Sequence, residues 1–358
     1  MAGSVAGAMD FDLSAEQVEL RDTARALLDR RCTHDHVRAA LRSPGGAPGY
    51  DSGLWAAMVD QGWLGVTVSE GDGGLGLGTV EAAVLLEAAG AHLAPVPFLQ
   101  QLLALATLAD TTWSPRLLAG EVVGTAARRA LTRNQDGTVS GRPEPVVFGA
   151  TASVLVVPVA GELVAVDLTD VERSPEPAMD LTRELAWVTL DHAPATVVGD
   201  GADVDAFLDR GATFHAAEML GCAEAVMHLA VEYAKVREQF GRPIGSFQAV
   251  KHRCADMLVD VEGMRSAVYH AAWAIGAGDP EATIAASTAK TWCSDAGLRV
   301  AESALQVHGG IGFTWESDVH LYLKRAQLDR VSFGDATHHR SRLSSILRER
   351  IAAGHSII

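Results

Sequence analysis

Two short segments gather residue types suited to gripping a long anionic molecule. The first is Arg237-Glu-Gln-Phe-Gly-Arg-Pro-Ile-Gly-Ser-Phe-Gln248, the second Gln306-Val-His-Gly-Gly-Ile-Gly-Phe-Thr-Trp-Glu316. Arg237 falls at the expected end of a helix, where the backbone dipole favours a cation and a guanidinium can fork onto phosphate. Phe240 and Phe247 could wall a flat base or a ribose, and the Gln239 and Gln248 amides could donate to phosphate or ribose oxygens. In the second segment Gln306 and Val307 precede the pair Gly309–Gly310, where missing side chains let a backbone approach a ligand closely. Together the segments suit a flat, pyrophosphate-bearing molecule better than a metal or a nucleic acid. Each residue also has a plainer reading: Arg237 as a C-cap, the aromatics as packing, the glycines as helix terminators. His308 reads as a packed or hydrogen-bonded imidazole, and the pairs His34/His36 and His338/His339 as surface or turn residues.

Such segments need helices to hold them. Phe214, Ala217, Leu220, Val226, Ala230 and Tyr233 form an apolar stripe that predicts a helix from about Asp203 to Arg237, ended by Gly241 and Pro243. A second helix carries Val250, Cys254, Met257, Val261 and Val268. Gly276-Ala-Gly-Asp-Pro280 breaks it, with Asp279 as expected N-cap and Pro280 at the first helical position. A third, alanine-rich helix is expected to end near Gln306 and a fourth to begin near Ser344; four long antiparallel helices make a bundle. Upstream, Ser14-Ala-Glu-Gln17 has the form of a capping box, with Val18, Ala24, Leu27 and Leu28 at helical spacing. Arg42–Gly49 reads as a loop, Leu54–Gln61 as a helix, and Thr79 to about Ala89 as a long apolar helix. The glycine-rich run Glu70–Gly78 reads as a structural turn, since no Lys-Ser/Thr closes it into a phosphate loop. Between about Glu121 and Val198 the texture changes to short strands: Val154–Val157, Leu163–Val166 and Ala186–Leu190, with Asp136-Gly137 as a hairpin turn.

The 358 residues can bury a substantial core. A net charge of −16 argues against a nucleic-acid or anionic-membrane partner. Cys32, Cys222, Cys254 and Cys293 are scattered without metal-ligand or disulfide spacing, so no metal site is expected. No apolar run reaches the length of a membrane span, and the first ten residues lack the basic and apolar stretches of a secretion signal. The expected location is cytoplasmic.

The Arg237–Gln248 and Gln306–Gly310 segments resemble those of the acyl-CoA dehydrogenase family of flavoproteins. The order Gly62-Trp-Leu-Gly, glycine turn, apolar helix and Ala94-Pro-Val-Pro97 is similar to that family's N-terminal pattern. The resemblance implies a mainly α fold with a small middle β-domain: a helical domain over 1–110, a β-barrel-like domain over 111–200, and a C-terminal four-helix bundle over 201–358. It implies FAD as cofactor, gripped largely across a subunit boundary by Arg237, Gln239, Phe240, Phe247, Gln248, Gln306, Val307, Gly309 and Gly310. The substrate would be an acyl-CoA, whose α-proton goes to a carboxylate while flavin N5 takes the β-hydride, with electron-transfer flavoprotein as acceptor. This chain departs from the pattern at the base. Phe333 of Ser332-Phe-Gly-Asp335 stands where most members place the glutamate, and the alternative position falls on Gly211 and Ala212. In the β-domain, Thr125-Ala-Ala-Arg-Arg-Ala-Leu-Thr132 replaces the family's flavin-facing run. These departures suggest a chain that completes the FAD site of a catalytic sister chain in a mixed assembly. A self-sufficient enzyme with Asp335 as base and a flavin-free scaffold are the alternatives; Asp335 equally suits a helix N-cap.

Overall fold

The computed structural model describes residues 12–41 and 49–354. The expected leader-free N-terminus and all but Gly49 of the Arg42–Gly49 loop lie outside the described residues. Six helices come first: α1 (Ala15–Arg31), α2 (His34–Leu41), α3 (Ser52–Asp60), α4 (Thr79–Ala91), α5 (Phe98–Leu108) and α6 (Ser114–Leu118). The α1 capping box forms as expected: the Gln17 N–H donates to Ser14 Oγ, and Gln17 Oε1 accepts from the Ser14 N–H at 2.9 Å.

Nine strands follow: β1 (Gly124–Ala126), β2 (Thr132–Arg133), β3 (Val139–Gly141), β4 (Val146–Val147), β5 (Val154–Val159), β6 (Glu162–Asp167), β7 (Glu172–Glu176), β8 (Leu185–Ala193) and β9 (Ala195–Gly199). They form a sheet of order β1-β5-β6-β9 and a second of order β2-β3-β8-β4, with β7 also on β8. Asp136-Gly137 lies in the β2–β3 turn, with Gly137 at φ +86°. Strand β5 is buried throughout because it serves two cores, and its residues divide by the period of a strand. Val154 and Val156 join the helical core, whereas Leu155, Val157 and Val159 join the core between the sheets. In β6, Leu163 and Ala165 face the helices, and Val164 and Val166 face the second core.

The chain then enters α7 (Gly201–Val236), the hairpin β10 (Glu238–Gln239) and β11 (Arg242–Pro243), α8 (Gln248–Ala277), α9 (Ala282–His308), α10 (Val319–Val331) and α11 (Ala336–Ala352). The N-terminal helices and this bundle share one apolar core. The α4–α7 crossing is close enough that a Cβ on Gly221 would stand 1.8 Å from the Glu87 carbonyl oxygen, and one on Gly90 2.1 Å from that of Glu218. Only glycine lets the two backbones meet there.

Four expectations need correction. His339, read as a surface or turn residue, is buried within α11. Helix α2 was not anticipated, and His34 begins it rather than sitting in a turn. The final stretch of the bundle is two helices, α10 and α11, not one from about Ser344. The α9 N-cap is Glu281; Asp279 closes the preceding turn by accepting the Glu281 N–H at 2.7 Å.

Candidate functional site

Arg237 is the C-cap of α7, its N–H donating to the Tyr233 carbonyl at 2.9 Å. Its extended ψ of 121° turns the chain into the β10–β11 hairpin, whose tip is Phe240 (φ +53°) and Gly241 (φ +75°). Two successive positive φ values are what a tight hairpin turn matching strand twist requires. Phe240 is consequently 93% exposed, edge-on to Phe247 at 6.0 Å, and the Arg242 guanidinium lies 4.2 Å over the Phe247 ring. Gln239 spends its amide N–H on the Glu238 carbonyl. At the end of α9, Gly309 caps the helix at φ +63° and a short 3₁₀ turn runs to Phe313. His308 joins the two helix ends: its ring stacks on Tyr233 at 4.4 Å and its Nδ1 lies 2.8 Å from the Ala304 carbonyl oxygen.

The result is an open groove of about 450 Å³ lined by Arg237, Gln239, Val307, Gly309 and Gly310 together with Tyr233 and His308. Phe240, Phe247, Gln248 and Gln306 are not among its walls; Gln248 opens α8 and Gln306 lies exposed on the last turn of α9. The Arg237 guanidinium has no partner among the described residues, so its donors are free for an anion. Gly310 is informative. A Cβ there would meet nothing within 4 Å, and its φ is not left-handed, so this chain's own packing does not ask for glycine. The space it leaves is available to a group from outside.

The two positions tested for a base converge in space. A Cβ on Gly211 of α7 would lie 2.1 Å from Phe333 Cδ1 and 2.2 Å from Cε1, so the ring occupies the volume a side chain at 211 would need. Phe333 sits between α10 and α11 at φ +54°, a strained value for a bulky residue. It is fixed edge-on to Phe207 at 5.5 Å, stacked on His215 at 5.5 Å, and its carbonyl oxygen lies 3.0 Å from His339 Nε2. Asp335 is the N-cap of α11 and accepts the His338 N–H at 2.8 Å. That backbone hydrogen bond holds its carboxyl below the ordinary aspartate range, the opposite of what proton abstraction near neutrality asks of a base. Thr125, at the start of the altered β-run, spends its hydroxyl on the Val147 carbonyl at 2.7 Å.

Beneath Phe333 lies an ionic network that the sequence reading did not find. Arg325, fully buried, donates from Nε to Asp180 at 2.6 Å and faces Glu218 at 3.3 Å; Arg183 pairs with Glu218 and donates to the Ala94 carbonyl at 2.7 Å. His215 Nδ1 lies 3.3 Å from Asp329, and Lys290 donates to the Asp329 carbonyl at 2.9 Å. Burial, with Lys290 nearby, pushes His215 down to about 3, and burial pushes Asp329 up to about 6. His215, Glu218 and Asp329 have the donor types of a metal centre. However, Arg183, Arg325 and Lys290 already match the charges of Asp180, Glu218 and Asp329, so an added divalent cation would be unbalanced.

A helical N-terminal region, a two-sheet β-unit and a C-terminal helical bundle with an open groove at the ends of two of its helices define the architecture. Residues 14–111 match the N-terminal domain of acyl-CoA dehydrogenases, and residues 199–347 match their C-terminal domain. The chain is 36% identical over 318 residues to acyl-CoA dehydrogenase IpdE2 of Mycolicibacterium smegmatis, spanning 88% of this chain and 93% of that one. It superposes on a chain of the ChsE4–ChsE5 complex from Mycobacterium tuberculosis with a TM-score of 0.88 at 29% identity, covering 95% and 99% of the two. A Bacillus anthracis acyl-CoA dehydrogenase complexed with FAD shares the fold, with a TM-score of 0.82 at 19% identity over 96% of this chain and 68% of that one. The chain belongs to the acyl-CoA dehydrogenase family. No described helix is long and apolar enough to cross a membrane.

Proposed function

We propose that this chain is the non-catalytic partner in a mixed acyl-CoA dehydrogenase assembly, lending its groove to FAD held mainly by a sister chain. The interlock of Gly211 with Phe333 carries this reading: both places where a base would stand are filled by carbon, and neither can take a proton. Asp335, the alternative base, is engaged as an N-cap. The resemblance to a chain from a complex of two different subunits supports a mixed assembly.

Flavin, when bound, would supply the hydride acceptor for α,β-dehydrogenation of an acyl-CoA thioester. This chain's role is to hold it. Within the groove Arg237 would fork onto the pyrophosphate and Gln239 would hydrogen-bond a phosphate or ribose oxygen. Outside its walls, Gln248 and Gln306 would reach further phosphate or ribose oxygens, and Phe240 and Phe247 would flank the adenosine half where it extends beyond the groove. The backbone at Val307, Gly309 and Gly310 would lie against it. The sister chain would contribute base and acyl pocket, with electron-transfer flavoprotein receiving the electrons. The proposed domains are a helical domain over 1–110, a β-domain over 111–200 and the bundle over 201–358, in a cytoplasmic protein.

The test is co-expression with the sister chain and flavin counting. Fewer flavins than chains are expected. Arg237→Ala with Gln306→Ala should release FAD while both chains stay folded and associated, and Gly310→Ala, whose Cβ would meet nothing within 4 Å in its own chain, should weaken FAD retention with the fold intact. Full flavin in these variants, or one flavin per chain with unaided turnover by this chain alone, would overturn the proposal.

A further inference from the structure

A second cavity, sharing no wall residue with the groove, lies between the loop before β8, the end of α9 and the first half of α10. It measures about 300 Å³ and takes its apolar walls from Leu305, Phe313, Trp315 and Leu323. Two of these walls are flat and reach solvent: Phe313 is 71% and Trp315 57% exposed. The backbone under Trp315 is nevertheless fixed. Arg38 of α2 donates to the Trp315 carbonyl at 2.6 Å, to the Ser317 carbonyl at 3.0 Å and to Asp318 at 2.6 Å. An indole held out in water on a clamped loop is a preformed wall, so binding there orders little that is not already ordered.

Three polar groups line the same space without partners. His320 is 8% exposed, and both its ring nitrogens are buried with no hydrogen bond among the described residues. The Lys324 ammonium lies 4.7 Å over the Trp315 ring and makes no ion pair among the described residues, in a chain with 45 acidic residues against 29 Lys and Arg. The Gln327 side chain makes no hydrogen bond among them either. Buried polar groups are almost always satisfied, so an orphaned imidazole beside a cavity marks a place for a hydrogen-bonding ligand. The free ammonium selects an anion, and the two flat walls select aromatic rings, which pack well against such surfaces. We propose that this cavity binds a flat aromatic carboxylate, its rings against Phe313 and Trp315 and its carboxylate at Lys324 and His320. The proposal does not rest on the role assigned to the groove.

Calorimetric titration of the full-length chain with sodium 2-naphthoate, and with 2-naphthamide as a neutral body of the same shape, tests this. Naphthoate should bind, and naphthamide should bind about tenfold more weakly or worse, the usual effect of losing charged hydrogen bonds. Lys324→Met should weaken naphthoate by a similar factor; the side chain reaches solvent, so the fold should survive. His320→Phe should weaken it about fivefold, the effect of one neutral hydrogen bond. No binding up to about 10 mM, equal binding of naphthoate and naphthamide, or indifference to Lys324→Met would each overturn the proposal. Loss of binding in Arg237→Ala with Gln306→Ala would place naphthoate in the groove instead. Loss of binding on addition of the sister chain would make this face a subunit contact rather than a ligand site.

Discussion

Gly211→Ala should destabilise this protein, although the same change in a helix interior ordinarily stabilises by about 1 kcal/mol. The new Cβ would lie 2.1 Å from Phe333 Cδ1 and 2.2 Å from Cε1, whereas carbon atoms rest about 3.5–4.0 Å apart. The ring has little room to yield, being flanked by Phe207 and His215 and tied through its carbonyl to His339. Overpacking of this kind costs about 1–3 kcal/mol. Removing the ring should reverse the sign. Phe333→Ala alone should cost about 3–5 kcal/mol, and adding Gly211→Ala to it should recover about 1 kcal/mol of helix propensity. Guanidinium unfolding followed by far-UV circular dichroism gives the four midpoints; the m-value should stay constant so that midpoint shifts report stability. If Gly211→Ala raises the midpoint of the otherwise unchanged protein, or if the two substitutions add without coupling, the interlock is not what fills the base site.

Asp335→Ala should cost about 0.5–2 kcal/mol through loss of the α11 cap and leave turnover of the mixed assembly unchanged; loss of turnover at full stability would restore Asp335 as a base. Acidification should destabilise the fold. His215 and His339 are pushed to about 3 mainly by burial, so below the ordinary histidine value the unfolded chain takes two protons that the folded one refuses. Asp329, raised to about 6, opposes this with one proton bound preferentially in the folded state. Glu218, also raised by burial, acts in the same sense as Asp329, whereas His320 and His338, also lowered by burial, act with His215 and His339. The histidines outnumber the acids, so stability should fall on acidification, readable as a falling Tm between pH 6.5 and 4.5; a flat or rising Tm would contradict the assignment.

What could be read from the residues alone followed apolar periodicity and local capping chemistry. The Ser14 box, the α7 stripe and the β5–β6 pair were legible because each is a short-range pattern with an apolar face. The groove was legible as a set of residue types, though not the fact that Phe240 and Gln248 stand outside its walls, which depends on the hairpin's turn geometry. Helix α10 was missed for a physical reason: its buried face carries His320, Arg325 and Asp329, so the charges that anchor it erase the hydrophobic signal. Likewise His215 and Glu218 sit three apart inside an apolar stripe on α7, the one hint of the ionic network, yet their partners on α10 and before β8 are far away in sequence. Helix α2 has eight residues with only Val37 buried, too little for periodicity to register.

Strand β5 gives alternate side chains to two separate interiors, with Val156 on one side and Val157 on the other. The β-unit is therefore no detachable module. A graft from a relative would have to match both surfaces at once, and a lesion at either valine should loosen both compartments together rather than melt one and spare its neighbour.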